Sequence, residues 1–404
     1  MSSDPRATTE LKSRARQAAE ELQDECAGLA RTLYDHAELS GEEAKSARLL
    51  GGRLATAGFQ VEQGAGEMPT AFVARRRAGS GPVVAFLAEY DALPEIGHGC
   101  GHNLIGAAAV GAGLVLARLS DRLEGEIRVI GTPAEETVGG KAVMVEAGVF
   151  HDVDAAFVVH PGFEDRVLVD SLASRALEVT FVGRTAHAIA YPEKGVNALD
   201  ALIALFTARD ALLRQSPAGV RLVGIVREGG IRPNMVPDRA VGEFSLRAPT
   251  GPRVTAVCEA FRARAAALAQ AYGCEARIRE TERAFGEMIT NRALAGAYRA
   301  NLLALGVDVN DHPRERMGSL DMGNVSQVVP SLHPFFAIVP PTVASHTREF
   351  GEATLTAAGR AGLHRCVQAL AMTGIDFLAR EDLRRDASAE HQRFRRSLAE
   401  EREP

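Results

Sequence analysis

The chain has 404 residues, 46% of them hydrophobic and 24% charged, with a formal net charge of −6. That length exceeds what one hydrophobic core usually serves, so two domains are expected, and the interspersed, mildly acidic charge gives a nucleic-acid partner no electrostatic support. No charge-free apolar run is long enough to span a membrane, the polar N-terminus lacks a signal peptide's apolar centre, and five irregularly spaced cysteines (26, 100, 258, 274 and 366) argue for a reducing, cytoplasmic setting.

Apolar positions at three-to-four spacing, among them Leu22, Leu29, Leu33, Leu50 and Leu54, predict helix over 10–58. Short runs at 71–74 and 83–87 predict strands, and 103–118, apolar and rich in small residues, predicts a helix buried against a sheet. Strands at 127–131 and 155–159 follow, with a helix near 139–147 between them. Strands alternating with helices make an α/β domain with a largely parallel sheet flanked by helices, which puts chemistry at the strands' carboxyl ends.

From 174 the pattern changes. Alternation at 177–182, 220–228, 239–247 and 274–282 predicts four strands, and 196–214 and 252–271 predict two helices. These make an α+β insert over 174–286. A helix at 290–305 returns to the first domain, which then comprises 1–173 and 287–404. The Arg- and Glu-dense tail, 379–404, predicts a solvated helix that frays.

Three strand ends carry reactive side chains. After 83–87 come Glu89-Tyr-Asp91 and then Gly97-His-Gly-Cys100-Gly-His102, a thiol and an imidazole one glycine apart that can grip a borderline metal. After 127–131 come Glu135-Glu136, either a wet helix end or a pair in which one carboxylate binds metal while its neighbour acts as a base. His160 closes the next strand on the same sheet edge. His346, in an irregular Pro-rich stretch, can serve as a remote ligand. The stretch 318–324 is either a loop cradling substrate or a tight turn, and His187 and Asn234 have no role readable from their own surroundings. His98, His151, His312, His333, His364 and His391 are assigned to surface or packing.

The ordered set of these stretches resembles the co-catalytic metallohydrolase superfamily of aminoacylases, glutamate carboxypeptidases and auxin-conjugate hydrolases, most of all its aminobenzoyl-glutamate hydrolase-like branch. The matching segments are 89–94, 97–103, 131–136, His160-Pro161, 185–188 with 195–200, 234–238 and 318–326. The resemblance implies two divalent metal ions per subunit, Mn²⁺ or Zn²⁺, held by Cys100, His102, Glu136, His160 and His346. It implies Glu135 as general base and acid, and Asp91 as the carboxylate orienting a ligand histidine. It implies His187 as an oxyanion donor presented to the partner subunit, with Asn234, Arg232 and Ser319 on a small substrate that carries a carboxylate. The insert is then a lid and dimerisation module, and the assembly a homodimer or higher homo-oligomer. Three departures stand out, one of them Cys100 where the carboxypeptidase branch has a bridging carboxylate. Glu89 occupies the place of the carboxypeptidase branch's histidine ligand, and Asn103 follows Cys-Gly-His where auxin-conjugate hydrolases carry Asp.

The expected activity is hydrolysis of the amide bond of a small N-acyl or N-aroyl amino acid. One alternative is a dipeptidase or carboxypeptidase. Another is hydrolytic deamination of an electron-poor aromatic amine, such as a nitro- or carboxy-aniline, releasing ammonia. A non-catalytic metal- or ligand-binding pseudo-enzyme is disfavoured by the presence of Glu135 together with all five ligand positions.

Overall fold

In the computed structural model, which describes residues 5–311 and 318–400, the predicted opening helix is three: α1 (Pro5–Glu21), α2 (Gln23–His36) and α3 (Ala44–Thr56). Periodicity hid the breaks because Leu22 stays buried between α1 and α2. The turn after α2 opens with Ala37 and Gly41, both at positive φ. Strands β1 (Gln60–Gln63), β2 (Phe72–Arg77) and β3 (Val83–Ala88) follow, then α4 (His102–Ala117), β4 (Glu126–Gly131), α5 (Gly140–Glu146), β5 (Ala155–Phe157) and β6 (His160–Gly162). The strand predicted over 155–159 is thus shorter, ending at Phe157, and a separate strand, β6, opens at His160.

The contact pattern divides the chain into two units, one of residues 5–170, 288–311 and 321–400, the other of 171–287 with 318–320. The second contains β7 (Ala173–Val182), α6 (Ala198–Gln215), β8 (Arg221–Glu228), β9 (Arg239–Ala248), α7 (Gly251–Tyr272) and β10 (Glu275–Glu280). Its antiparallel sheet runs β10-β7-β9-β8, with α6 and α7 packed on it. Asn197 starts α6 by accepting the amides of Leu199 and Asp200 at 3.0 and 3.3 Å, an N-cap that satisfies donors the helix itself cannot.

The chain returns to the first unit with α8 (Arg292–Ala304), α9 (Met322–Val328), β11 (Ser331–Leu332), β12 (Phe335–Ala337), α10 (Arg348–Ala353), α11 (Ala357–Ala379) and α12 (Glu381–Glu400). The first unit's sheet runs β1-β2-β4-β3-β5-β11. Its β4-β3-β5-β11 stretch is parallel, β1 and β2 add an antiparallel edge, and β12 pairs with β6 alongside. Every residue of α4 is buried between this sheet and the helices α2 and α11. Its small residues allow that approach: a Cβ on Gly113 would lie 2.5 Å from Val129 Cγ2.

The tail differs from expectation. Leu383, Ala387, His391 and Leu398 of α12 are buried, a stripe at helical spacing that the surrounding Arg and Glu residues masked. No helix among the described residues is long and apolar enough to cross a membrane.

Phe157 sits between Phe86 and Phe377, ring centroids 5.9 and 6.4 Å away. Truncating it leaves a cavity in a close-packed core, so Phe157→Ala is expected to lower the unfolding free energy by about 3–5 kcal/mol in a denaturant titration. A change below about 1 kcal/mol would mean the neighbours collapse into the space.

Candidate metal centre

Side by side, β3 and β4 release their chains at the same sheet edge, and the next residues turn inward. After β3 come Glu89 and Asp91, both buried. The chain loops back to Cys100 and enters α4 at His102 through Gly101, whose φ is +83° and whose Cβ would stand 2.4 Å from Pro161 Cγ. Only glycine fits there. After β4 come Glu135 and Glu136, and His160 opens β6.

Asp91 fixes the centre. One carboxylate oxygen accepts from His102 Nδ1 at 2.8 Å, and the other accepts from Ser40 Oγ at 2.6 Å and from the Glu136 amide at 3.0 Å. Burial alone would raise the Asp91 carboxyl, but the His102 imidazole beside it, together with these bonds, holds it well below the usual range. With Nδ1 donating to Asp91, the nitrogen His102 turns into the site is Nε2, and that buried nitrogen has no hydrogen-bond partner. Glu136 Oε1 is likewise buried and unpartnered.

Three overlapping groups of potential ligand atoms form here: Cys100–His102–His160, Cys100–Glu136–His346 and His102–Glu135–Glu136, with all atoms in each group within 4.8 Å of one another. Cys100 belongs to two of them, its Sγ lying 3.4 Å from His160 Nε2. His160 Nδ1 bonds the Pro161 carbonyl at 2.8 Å, and burial pushes its pKa down to about 3, so the ring is neutral and offers Nε2. Burial pushes the Cys100 thiol up to about 12; a thiol placed among imidazoles in this way ionises when a cation binds it. His346, half exposed and at φ +63°, is pinned by its amide to the Gly99 carbonyl at 2.8 Å, and its Nε2 lies 3.6 Å from Glu136 Oε1. Unpartnered buried nitrogen and oxygen, a shared sulfur and a neutral imidazole are a donor set that fits two adjacent divalent cations.

The carboxylate of Glu135 approaches His102 Nε2 at 4.0 Å. Burial first, then the charges of Asp321 and Glu89, raise its pKa well above the ordinary carboxylate value.

Several residues here escaped sequence reasoning. Lys141, fully buried, pairs with Glu89 at 2.7 Å and Asp321 at 2.5 Å, while its backbone amide donates to Asp321 at 2.9 Å. Burial raises the Glu89 carboxyl, but Lys141 outweighs it and brings it down to about 2. A lysine in a helix reads as surface; its one signal is the preceding Gly139-Gly140, where a Cβ on Gly140 would lie 1.8 Å from the Pro133 carbonyl oxygen. His333, read as surface or packing, is buried with its ring 5.6 Å from that of His160. His98 is buried against the Leu33 carbonyl. His312 lies outside the described residues.

The remaining predicted site residues belong to the second unit. His187 pairs with Met235 in an isolated bridge, and the Ala188 amide donates to the Asn234 carbonyl at 3.0 Å, so the His187 and Asn234 loops lie together. His187 Nδ1 accepts the amides of Ile189 and Ala190 at 3.3 and 3.1 Å. That puts the ring proton on Nε2, where it can donate. Arg232 and Asn234 are exposed, and Ser319 Oγ is buried without a partner.

Residues 85–366 match peptidase family M20/M25/M40. The chain is 34% identical over 385 residues to the mouse Xaa-Arg dipeptidase, covering 91% of this chain and 89% of that protein. It is 37% identical over 242 residues to one of the polypeptides of the p-aminobenzoyl-glutamate hydrolase of Escherichia coli K12, covering 55% and 50% respectively. Its fold matches a Bacillus subtilis protein described as a dinuclear metal-binding peptidase of the M20 family, with a TM-score of 0.67, 20% identity, and 89% and 99% of the two chains covered.

Lys141→Met leaves two buried carboxylates without their cation and is expected to cost about 3–5 kcal/mol of stability in chemical denaturation. Adding Glu89→Gln and Asp321→Asn should recover most of that loss. If the triple variant is no more stable than the single one, the charge pairing is not its source.

Proposed function

The chain belongs to peptidase family M20/M25/M40 and is a hydrolase acting on C–N bonds, and from that premise we propose that it cleaves the amide bond of a small N-acyl amino acid carrying a free carboxylate. The observation that carries this reading is Cys100, shared by two ligand groups beside the Glu135 carboxylate. In this reading Cys100, His102, Glu136, His160 and His346 would hold two divalent ions, Mn²⁺ or Zn²⁺. Bound there, the ions supply Lewis acidity that acidifies water and polarises a carbonyl.

The protein's own groups do the rest. Glu135 takes the proton of the attacking water and returns it to the leaving amine. Asp91 keeps His102 in one tautomer and one orientation. His187, with its proton on Nε2, donates to the developing oxyanion, and removal of such a donor typically costs about 10²–10³ in kcat. Asn234 and Arg232, with Ser319, hold the substrate carboxylate and fix its geometry.

His187 acts, in this reading, on the site of a second copy. The support is β8, an edge strand whose Val223, Ile225 and Val226 are exposed, together with exposed Ile203 of α6. An unprotected apolar edge is suited to isologous pairing with its own copy. The 171–287 stretch is then both lid and dimerisation module.

A dipeptide is itself an N-acyl amino acid, and the similarity to Xaa-Arg dipeptidases over nine-tenths of the chain favours dipeptides with a C-terminal basic residue as the first substrates to try.

The test is hydrolysis by metal-reconstituted enzyme, following free amine and ammonia together, on Xaa-Arg dipeptides, N-acyl amino acids, aminobenzoyl-glutamate and electron-poor anilines. Amide cleavage is expected; ammonia from an aniline with every amide intact would sink the proposal. Glu135→Gln should abolish turnover and leave metal bound, whereas Cys100→Ala should lower metal content and activity together. Val223→Asp with Ile225→Asp should yield a monomer that binds metal and has lost most of its turnover. Full activity in that monomer would show that His187 does not act across subunits.

A further inference from the structure

We infer that Glu43, in the turn before α3, is the positioning residue that sets the aim of Glu135, an inference that rests on Glu135 being the general base. The backbone amides of the residues before and after Glu135 are each held by a buried carboxylate from elsewhere in the chain. Asp91 takes the Glu136 amide at 3.0 Å. Glu43, fully buried, takes the Ala134 amide at 2.8 Å through Oε1.

Ala134 needs that bond. Its φ is +58°, in the left-handed region that favours glycine, and its side chain is fully buried. Its carbonyl is tied as well, accepting the amides of Gly139 and Gly140 at 3.0 and 3.1 Å. The turn between β4 and α5 is therefore closed on Ala134 from both sides. Glutamates 135 and 136 project from the closed turn.

Glu43 is itself held in place. Oε1 also accepts the Gly41 amide at 2.8 Å, and Oε2 accepts the Thr70 hydroxyl at 2.8 Å. Tyr90, between Glu89 and Asp91, donates its hydroxyl to the Thr70 carbonyl at 2.6 Å. The path from the end of β3 through Tyr90, Thr70 and Glu43 to Ala134 thus links the two strand ends that carry the centre. Glu43 touches none of the ligand groups, so it acts on the reaction only through the turn. Removing its acceptors releases the Ala134 amide and lets the left-handed residue relax, which swings Glu135 without displacing Glu136, still held by Asp91.

The test compares metal-loaded enzymes by kcat, KM and metal stoichiometry, with Glu135→Gln alongside. Glu43→Met keeps the volume and loses both acceptors. Its kcat is expected to fall about 10- to 100-fold, the scale of a misplaced catalytic group, with KM and metal content unchanged. Glu43→Gln keeps an acceptor for the Ala134 amide, and the Thr70 hydroxyl can turn to accept from the new amide, so most of kcat should return. A residue acting only through global stability would not show that rescue. If Glu43→Met does not fold, Glu43→Asp, one carbon too short to reach, is expected to show the same kcat loss. Wild-type kcat in Glu43→Met or Glu43→Asp while Glu135→Gln is inactive would overturn the inference, as would metal loss in step with activity. Full turnover by Glu135→Gln would instead remove the reading on which it rests.

Discussion

The three bonds to the Asp91 carboxylate are the constraint on which the centre depends. His102 begins α4, Glu136 follows β4 and Ser40 lies in the turn after α2, so one side chain at the end of β3 ties together three otherwise separate elements. A carboxylate buried without partners would neutralise itself or destabilise the fold. Here it accepts three donors, and one of them, the His102 ring, is left presenting its other nitrogen to the site. The same interaction that makes the buried charge tolerable also decides which nitrogen is offered.

Around that point the fold accumulates acid. Glu43, Glu89 and Asp321 are buried like Asp91, and Glu135 and Glu136 are close by. Lys141 answers Glu89 and Asp321. Glu43 is answered by hydrogen bonds alone, and Glu136 keeps a buried oxygen with no partner. What remains open at the mouth of the sheet is the Glu136 oxygen and the His102 Nε2, both buried without a hydrogen-bond partner. In the proposed reading divalent cations would occupy them, so metal binding and the stability of this corner of the fold are linked.

Strand ends and the glycine-flanked pair Cys100 and His102 were legible because they obey local rules. Apolar runs of four to six residues mark buried parallel strands, and reactive residues immediately after them fall at one sheet edge. Cys100 and His102 could be singled out because a thiol and an imidazole stand one glycine apart in a Gly-rich stretch. Lys141, Asp321 and Glu43 were not legible. Each is an ordinary charged residue in a helix or turn, and each takes its meaning from a partner far along the chain. Lys141 and Asp321 are 180 positions apart and Glu43 and Ala134 are 91 apart, so only the closed fold brings them together. The α12 stripe failed for a different reason: its buried positions are diluted by arginines and glutamates on the other faces, so composition suggested solvent where spacing indicated packing.

Two of the non-glycine residues held at positive φ, Ala134 and His346, lie at the centre itself, one directly before the paired carboxylates and one carrying a predicted ligand. Glycine would adopt either conformation without strain, but it would also populate others and leave the attached groups free to wander. An L-residue in that region holds the conformation only where its surroundings overdetermine it. Ala134 meets that condition through Glu43 and the two following glycine amides, and His346 through the Gly99 carbonyl, one residue before Cys100. The strain is therefore offset by bonds that also connect each turn to another part of the centre. A site built this way is preorganised by its backbone before any ligand arrives, and what remains for a substrate is to meet groups already in place.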